Sequence, residues 1–152
     1  MKHTLNKYIE INAPKHSVWE VLVAPEHFAK WSREFCPDSR MQADLRVGGA
    51  IRYLDAQGKG LRARVVELEP DSLLTVEHEC ELKNGADDPA GTDWKGCRET
   101  YRLTEEAGVT RFSLTSEAPT KEFHDEFDKA WDRALQRIKE LAEAPVPARS
   151  GG

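Results

Sequence analysis

The stretch TKEFHDEFDKAWDRALQRIKELAE, Thr120 to Glu143, sets the terms for the rest of the chain. Its apolar residues are Phe123, Phe127, Ala130, Trp131, Ala134, Leu135, Ile138, Leu141 and Ala142. Steps of three, four and one between them put all nine on one stripe of a helix. Asp125, Glu126, Asp128, Lys129, Asp132, Arg133, Arg137 and Glu140 occupy the reverse face. Thr120 is placed to cap the start, acidic Glu122 and Asp125 suit the positive end, and Pro145 stops the continuation. Burial of Phe123, Phe127 and Trp131 stabilises by roughly 1.5–3 kcal/mol per side chain. A lone helix has nothing to bury them against, so a concave surface upstream must receive it.

The upstream pattern supplies strands. Leu5, Ile9 and Ile11 keep a period of two, broken by Lys7, and predict a first strand. Asn12-Ala13-Pro14 opens a short helix with Val18, Trp19 and Leu22 on one face, and Pro25 restarts the chain into a second short helix containing Phe28, Ala29 and Trp31. Strand-like segments follow at Arg40 to Arg46, Ala50 to Leu54, Leu61 to Glu69, Leu74 to Leu82, Lys95 to Thr104 and around Phe112 and Leu114. Gly48-Gly49, Gln57 to Gly60, Pro70 to Ser72 and Ala107-Gly108 separate them as turns, and Lys83 to Asp93 reads as a long loop. The expected class is α+β: a curved antiparallel sheet of about six or seven strands around the long C-terminal helix, with two short helices after the first strand. Such a sheet rarely closes completely against one helix, so a cavity between them is expected.

Length and composition bound the function. The 152 residues predict one domain, 1–143, followed by a disordered tail, 144–152, rich in Pro, Ala, Gly and Ser. A hydrophobic share of 39% and a charged share of 32% describe a globular chain, and monomer and homodimer are both left open. The net charge of -5 gives no electrostatic reason to bind nucleic acid or an anionic membrane. No run approaches the ~20 apolar residues of a membrane span, and Met1 to Ile11 lacks the apolar core of a signal peptide, so a cytoplasmic location is expected. Three cysteines without framework spacing, Cys36, Cys80 and Cys97, fit reduced thiols.

Several short motifs, in order, resemble the START-like superfamily, also called SRPBCC. They are Ile11-Asn12-Ala13-Pro14 leading to Val18-Trp19, Pro25-Glu26 leading to Trp31, Asp44 to Gly49, and Val66 to Pro70 with Leu73-Leu74. The Gly-Gly and Glu-Pro signatures are most similar to the branch of the C-terminal domain of the activator of the ninety-kilodalton heat-shock protein ATPase. The resemblance spans about Leu5 to Ala142. It implies a helix-grip fold, strands after the first that neighbour one another in sequence order, and a pocket under the long helix. It also implies a hydrophobic or amphipathic small-molecule ligand, with two alternatives: a polyketide cyclase- or hydratase-like acid-base enzyme, or a co-chaperone-like partner of a heat-shock ATPase. Where many relatives end the last strand in a His-Ser-Gly-like sequence, this chain has Ser116-Glu117-Ala118, so no role of that histidine carries over.

The strands place polar residues inward. If Leu74, Val76 and Leu82 face the core, alternation sends His78 and Cys80 the same way, and Tyr101 and Leu103 bring Cys97 and Glu99. On the neighbouring strand, Val66 and Leu68 predict inward Arg64 and Arg62. Centring the hairpins on their turns pairs Cys80 with Cys97, His78 with Glu99, and Arg64 with His78. That gives a row of Arg64, His78 and Glu99 with Tyr53 and Ser116 at its ends. The row reads as ligand recognition, as acid-base chemistry by a histidine with ordinary pKa near 6.5, or as an ion-pair network without chemistry, and recognition is preferred. Trp31, Phe35, Trp94 and Phe123 are the aromatic candidates nearest the mouth, with Tyr53, Tyr101 and Phe127 inside. His78, Cys80, Cys97 and Glu99 lack the spacing of a zinc site, and no nucleotide, flavin or haem motif is present, so no metal or cofactor is expected.

Overall fold

A computed structural model describes residues 2–36 and 38–144. The order is β1 (His3–Ile11), α1 (Lys15–Val23), α2 (Pro25–Trp31) ending in a 3-10 turn (Ser32–Glu34), β2 (Arg40–Ala43), β3 (Ala50–Leu54), β4 (Gly60–Glu69), β5 (Leu73–Lys83), β6 (Ala86–Asp88), β7 (Arg98–Glu106), β8 (Val109–Ala118) and α3 (Lys121–Glu143). All strand pairs described are antiparallel, in the order β1-β8-β7-β5-β4-β3-β2, with β6 paired to the end of β5. This is the expected α+β architecture, with one strand more than the sequence predicts: β6 folds out of the expected loop at the Asn84-Gly85 turn. Residues 145–152, including Pro145 and nearly all of the expected tail, lie outside the described residues.

The long helix occupies the concave side as its stripe requires. Ala130, Trp131, Ala134, Leu135 and Ile138 are buried, and the Thr120 hydroxyl accepts from the Phe123 N–H at 3.2 Å, capping the first turn. The main core joins them to Ile11, Val18, Leu22, Trp31, Ile51, Val65, Val76, Phe112 and Leu114. Lys7, which interrupts the apolar alternation of β1, pairs with Asp128 and Asp132 of α3, both at 2.6 Å. An inward lysine at the sheet edge is thereby matched to the charged flank of the helix. Among the described residues, no helix is long and apolar enough to cross a membrane.

Two irregularities reposition the central strands. The β4–β5 register shifts between Val65 and Glu67 and between Arg62 and Ala63. A bulge inserts one residue and reverses the side-chain parity beyond it. Ala63 and Val65 are therefore fully buried while Leu68, three residues on, also packs against the core. The expectation that Val66 and Leu68 carry Arg64 and Arg62 inward fails at this bulge. Gly48 and Gly49 clamp it, because Gly48 N–H donates to the Val65 carbonyl at 2.8 Å and Val65 N–H donates to the Gly49 carbonyl at 2.9 Å.

Candidate functional site

Between the sheet, α2 and α3 lies a recess of about 130 Å³. Its wall is built by three stretches whose own packing fixes it. From α2 and its 3-10 extension come Phe28, Trp31, Ser32 and Phe35, and Trp31 is locked by its Nε1–H, which donates to the Val21 carbonyl at 2.8 Å. From α3 come Phe127 and Trp131, one helical turn apart. The sheet contributes Tyr53 from β3, Leu61 from β4, His78 from β5, and Glu99 and Tyr101 from β7. The rings touch in sequence: Phe28 to Trp31 at 4.9 Å, Trp31 to Trp131 at 5.6 Å, Trp131 to Phe35 at 5.0 Å and Phe35 to Phe127 at 5.5 Å between centroids. Three of these contacts are edge-on and that of Trp31 with Trp131 is tilted, geometries that hold aromatic walls in shape.

The polar floor is small. The Tyr101 hydroxyl donates to Glu99 Oε2 at 2.9 Å, and the Ser116 hydroxyl donates to Glu99 Oε1 at 3.3 Å. Glu99 keeps some solvent contact through the recess, yet protein encloses it. Burial therefore pushes its carboxyl pKa above the usual range, and the two hydrogen bonds only partly oppose that rise. Burial together with the Glu99 charge also pushes Tyr53 and Tyr101 far up, so both stay protonated hydroxyl donors. His78 is 6% exposed, and burial lowers its pKa to about 4, leaving a neutral imidazole at pH 7 rather than a group titrating near 6.5. The Nδ1 of His78, the Oγ of Ser32 and the Nε1 of Trp131 are sealed within the wall, with no hydrogen-bond partner among the described residues.

The sequence-derived candidates divide clearly. Trp31, Phe35, Tyr53, His78, Glu99, Tyr101 and Phe127 line this one recess. Trp94 and Phe123 sit just beside it: Trp94 stacks on Phe127 at 5.3 Å, approaches Phe123 at 5.0 Å and meets the His78 ring at 5.7 Å. Arg64 does not join them. It pairs with Glu77 in the β4–β5 ladder, and its guanidinium lies on the opposite face, 3.9 Å from Glu77 and 3.5 Å from Glu79. Arg62 likewise faces outward, to Glu79 and Asp87.

The expected row is also displaced in register. Glu99 pairs with Val76, not His78; Cys80 pairs with Arg62, not Cys97; and His78 meets Ala63, not Arg64. His78 instead exchanges backbone hydrogen bonds with Gly96 and Cys97, just before β7, and the register shift at Arg62 and Ala63 sets it opposite Ala63, while β6 pairs farther along β5, at Glu81 to Lys83. Among the described residues no hydrogen bond joins the two: Glu99 bonds to Tyr101 and Ser116, and the His78 Nδ1 has no partner. His78 and Glu99 therefore flank the recess as separate groups. Sequence reading missed Phe28, Ser32, Ser39, Leu61 and Trp131 as wall residues. Trp131 was legible only as core, whereas Ser32 and Ser39 had a signal available: one serine lies within the aromatic run Phe28 to Phe35 and the other just after it.

A curved antiparallel sheet gripping one long C-terminal helix, with a one-sided recess between them, defines a START-like helix-grip protein. The chain belongs to the Activator of Hsp90 ATPase homolog 1-like protein family, whose pattern matches residues 12–143. Solved structures share the fold at low identity. The Aha1 dimer from Colwellia psychrerythraea superposes with a TM-score of 0.71 at 20% identity, covering 93% of this chain and 96% of that one. CalU16 from Micromonospora echinospora gives 0.66 at 19% identity, covering 93% and 77%. DynU16, a protein in the dynemicin biosynthetic locus, gives 0.69 at 18% identity; 96% of this chain is covered, which spans only 49% of DynU16. No curated protein matches the chain.

Proposed function

We propose that the recess between sheet and α3 binds a small hydrophobic or amphipathic molecule, with its apolar body among the rings and its polar end at Glu99, Tyr101 and His78. The supporting observation is a carboxylate, Glu99, set beneath a wall of seven aromatic side chains and held only by two hydroxyls. A carboxylate in that setting is costly to fold and adds nothing to packing, so it is best accounted for by a ligand. The size of the recess, about 130 Å³, matches cavities that accept a single benzene ring. A larger molecule extends through the mouth beside Phe35 and Phe127.

Native mass spectrometry of freshly purified protein, followed by denaturation and identification of what is released, tests this directly. A thermal-shift panel of single-ring and extended apolar compounds extends the test. A true ligand at one hundred times its Kd adds about 2.7 kcal/mol of stability, roughly 5–10 °C in a chain of this size. An empty protein whose melting temperature no compound moves refutes the proposal. Family membership favours a second reading, activation of a chaperone ATPase, which predicts faster ATP turnover by a heat-shock ATPase on addition of this protein. The enzymatic alternative rests on Glu99 as a proton donor, since its raised pKa favours the protonated acid.

A further inference from the structure

We infer that the ligand of this recess is an organic cation, an amine or quaternary ammonium carried on a compact apolar body, whose positive charge is held by Glu99 and by the faces of the surrounding rings. The inference rests on the proposal that the recess binds a small molecule and specifies its charge. Three observations carry it. Among the described residues, Glu99 is the one carboxylate of the lining, and no lysine or arginine accompanies it. The arginines of the central strands, Arg52, Arg62, Arg64 and Arg98, make ion pairs with Glu77, Glu79 and Asp87 instead, in a network separate from the lining. The rest of the wall is dominated by aromatic rings, including the linked set Phe28, Trp31, Trp131 and Phe35.

Aromatic faces carry negative potential, and a box of them around a cation is a recognised way to hold an ammonium group out of water. A buried carboxylate adds a full charge of the same sign. Both features repel anions, so fatty acids, carboxylates and phosphates are disfavoured whatever their apolar bodies. The donors on Glu99, Tyr101 and Ser116, are neutral hydroxyls that orient the carboxylate without neutralising it. The titratable groups sharing the recess are Tyr53, Tyr101 and His78, all neutral at pH 7, so none competes with a cation for Glu99. Once ionised, Glu99 has no positively charged partner among the described residues of the lining, and a ligand cation supplies one.

A matched series decides the matter: benzylamine, benzyl alcohol and benzoate share one ring and one carbon and differ in charge. Binding is read by calorimetry and by quenching of Trp31 and Trp131, both in the wall. The expected order is benzylamine about tenfold tighter than benzyl alcohol, with benzoate weakest. Benzylamine affinity should increase as pH rises through the range, above the usual 4.5, in which the buried Glu99 ionises. Glu99→Gln keeps the shape and should level benzylamine with benzyl alcohol. Benzyl alcohol or benzoate binding as tightly as benzylamine overturns the charge assignment and leaves the cavity proposal standing. Failure of all three, and of larger ring-bearing amines, to bind overturns the cavity proposal as well. If Glu99→Gln does not fold, the ranking in the unaltered protein still decides, because benzyl alcohol or benzoate binding as tightly as benzylamine refutes a charged role for Glu99.

Discussion

Replacing His78 with leucine should flatten part of the acid sensitivity of this protein, by an amount that follows from the site. The imidazole is buried, and its pKa falls from 6.5 to about 4 because burial disfavours the charged form. In the unfolded chain it protonates as pH drops through 6.5, while the folded protein takes no proton there until about pH 4. Stability therefore falls with decreasing pH across that window, by about 1.4 kcal/mol per pH unit and about 3 kcal/mol in all. Glu99 acts in the opposite sense. Its raised folded pKa means that the folded state binds a proton before the unfolded one, so acidification relieves the carboxylate between that value and 4.5. Urea denaturation of the parent and of His78→Leu at pH 7.5, 6.5, 5.5 and 4.5 separates the two, because the Glu99 contribution is common to both proteins. The difference in unfolding free energy between them should shift by about 3 kcal/mol in favour of the leucine variant from pH 7.5 to 4.5. A difference independent of pH, for this variant and for His78→Gln alike, refutes the claim that His78 is held neutral by burial.

Three further outcomes follow from the same geometry. Glu99→Gln should raise the melting temperature at pH 8, because it removes a carboxylate whose raised pKa marks a folded-state penalty; the gain should shrink as pH falls through that raised value to below 4.5, where the acid is protonated in both states. Gly49→Ala should destabilise more than Gly48→Ala, as read by denaturant midpoint: a Cβ at 49 would lie 2.0 Å from the Asp44 carbonyl oxygen, whereas Gly48 needs only its positive φ of 86° and has open space around it. Arg64→Ala should leave ligand affinity within twofold of the parent and change stability by about 0–1 kcal/mol, as for an exposed ion pair; a larger loss of affinity would return Arg64 to the site.

What was legible in the sequence, and what was not, follows from the range of the interactions involved. The α3 stripe, its Thr120 cap and the alternation of β5 are local, so each could be read from residues a few positions apart. Side-chain parity on β7 also held, placing Glu99 and Tyr101 together inside. Pairing register is not local. The end of β5 pairs with a three-residue strand, Ala86–Asp88, whose residues carry no β-propensity and form a ladder only because Asn84-Gly85 turns them back onto β5. The β4 bulge was equally invisible in composition, since Val65 and Val66 are chemically interchangeable and only the Gly48-Gly49 clamp selects the one that faces in. The bulge kept Arg64 out of the cavity. The sequence row of three charged or titratable groups became a recess with one carboxylate and one neutral imidazole.

That loss of the arginine changes what the site can do. With Arg64 inside, Glu99 would be half of an internal ion pair, and the recess would be electrically complete without a ligand. With Arg64 bound to Glu77 and Glu79 on the other face, the negative end of the cavity has only hydroxyls against it. Ser32, His78 and Trp131 add sealed polar atoms without partners around the same recess, whereas most of the surrounding core is apolar. A fold selected only for stability would fill this space with hydrocarbon, because unsatisfied buried groups each destabilise by about 1–3 kcal/mol. Local departures of this kind concentrate where function outweighs stability. The same reasoning binds two measurements together: Glu99→Gln should make the protein more stable and, at the same time, a poorer binder of cations. A variant that gains stability with affinity intact would mean that Glu99 is a tolerated defect of the core and that recognition lies in the rings alone.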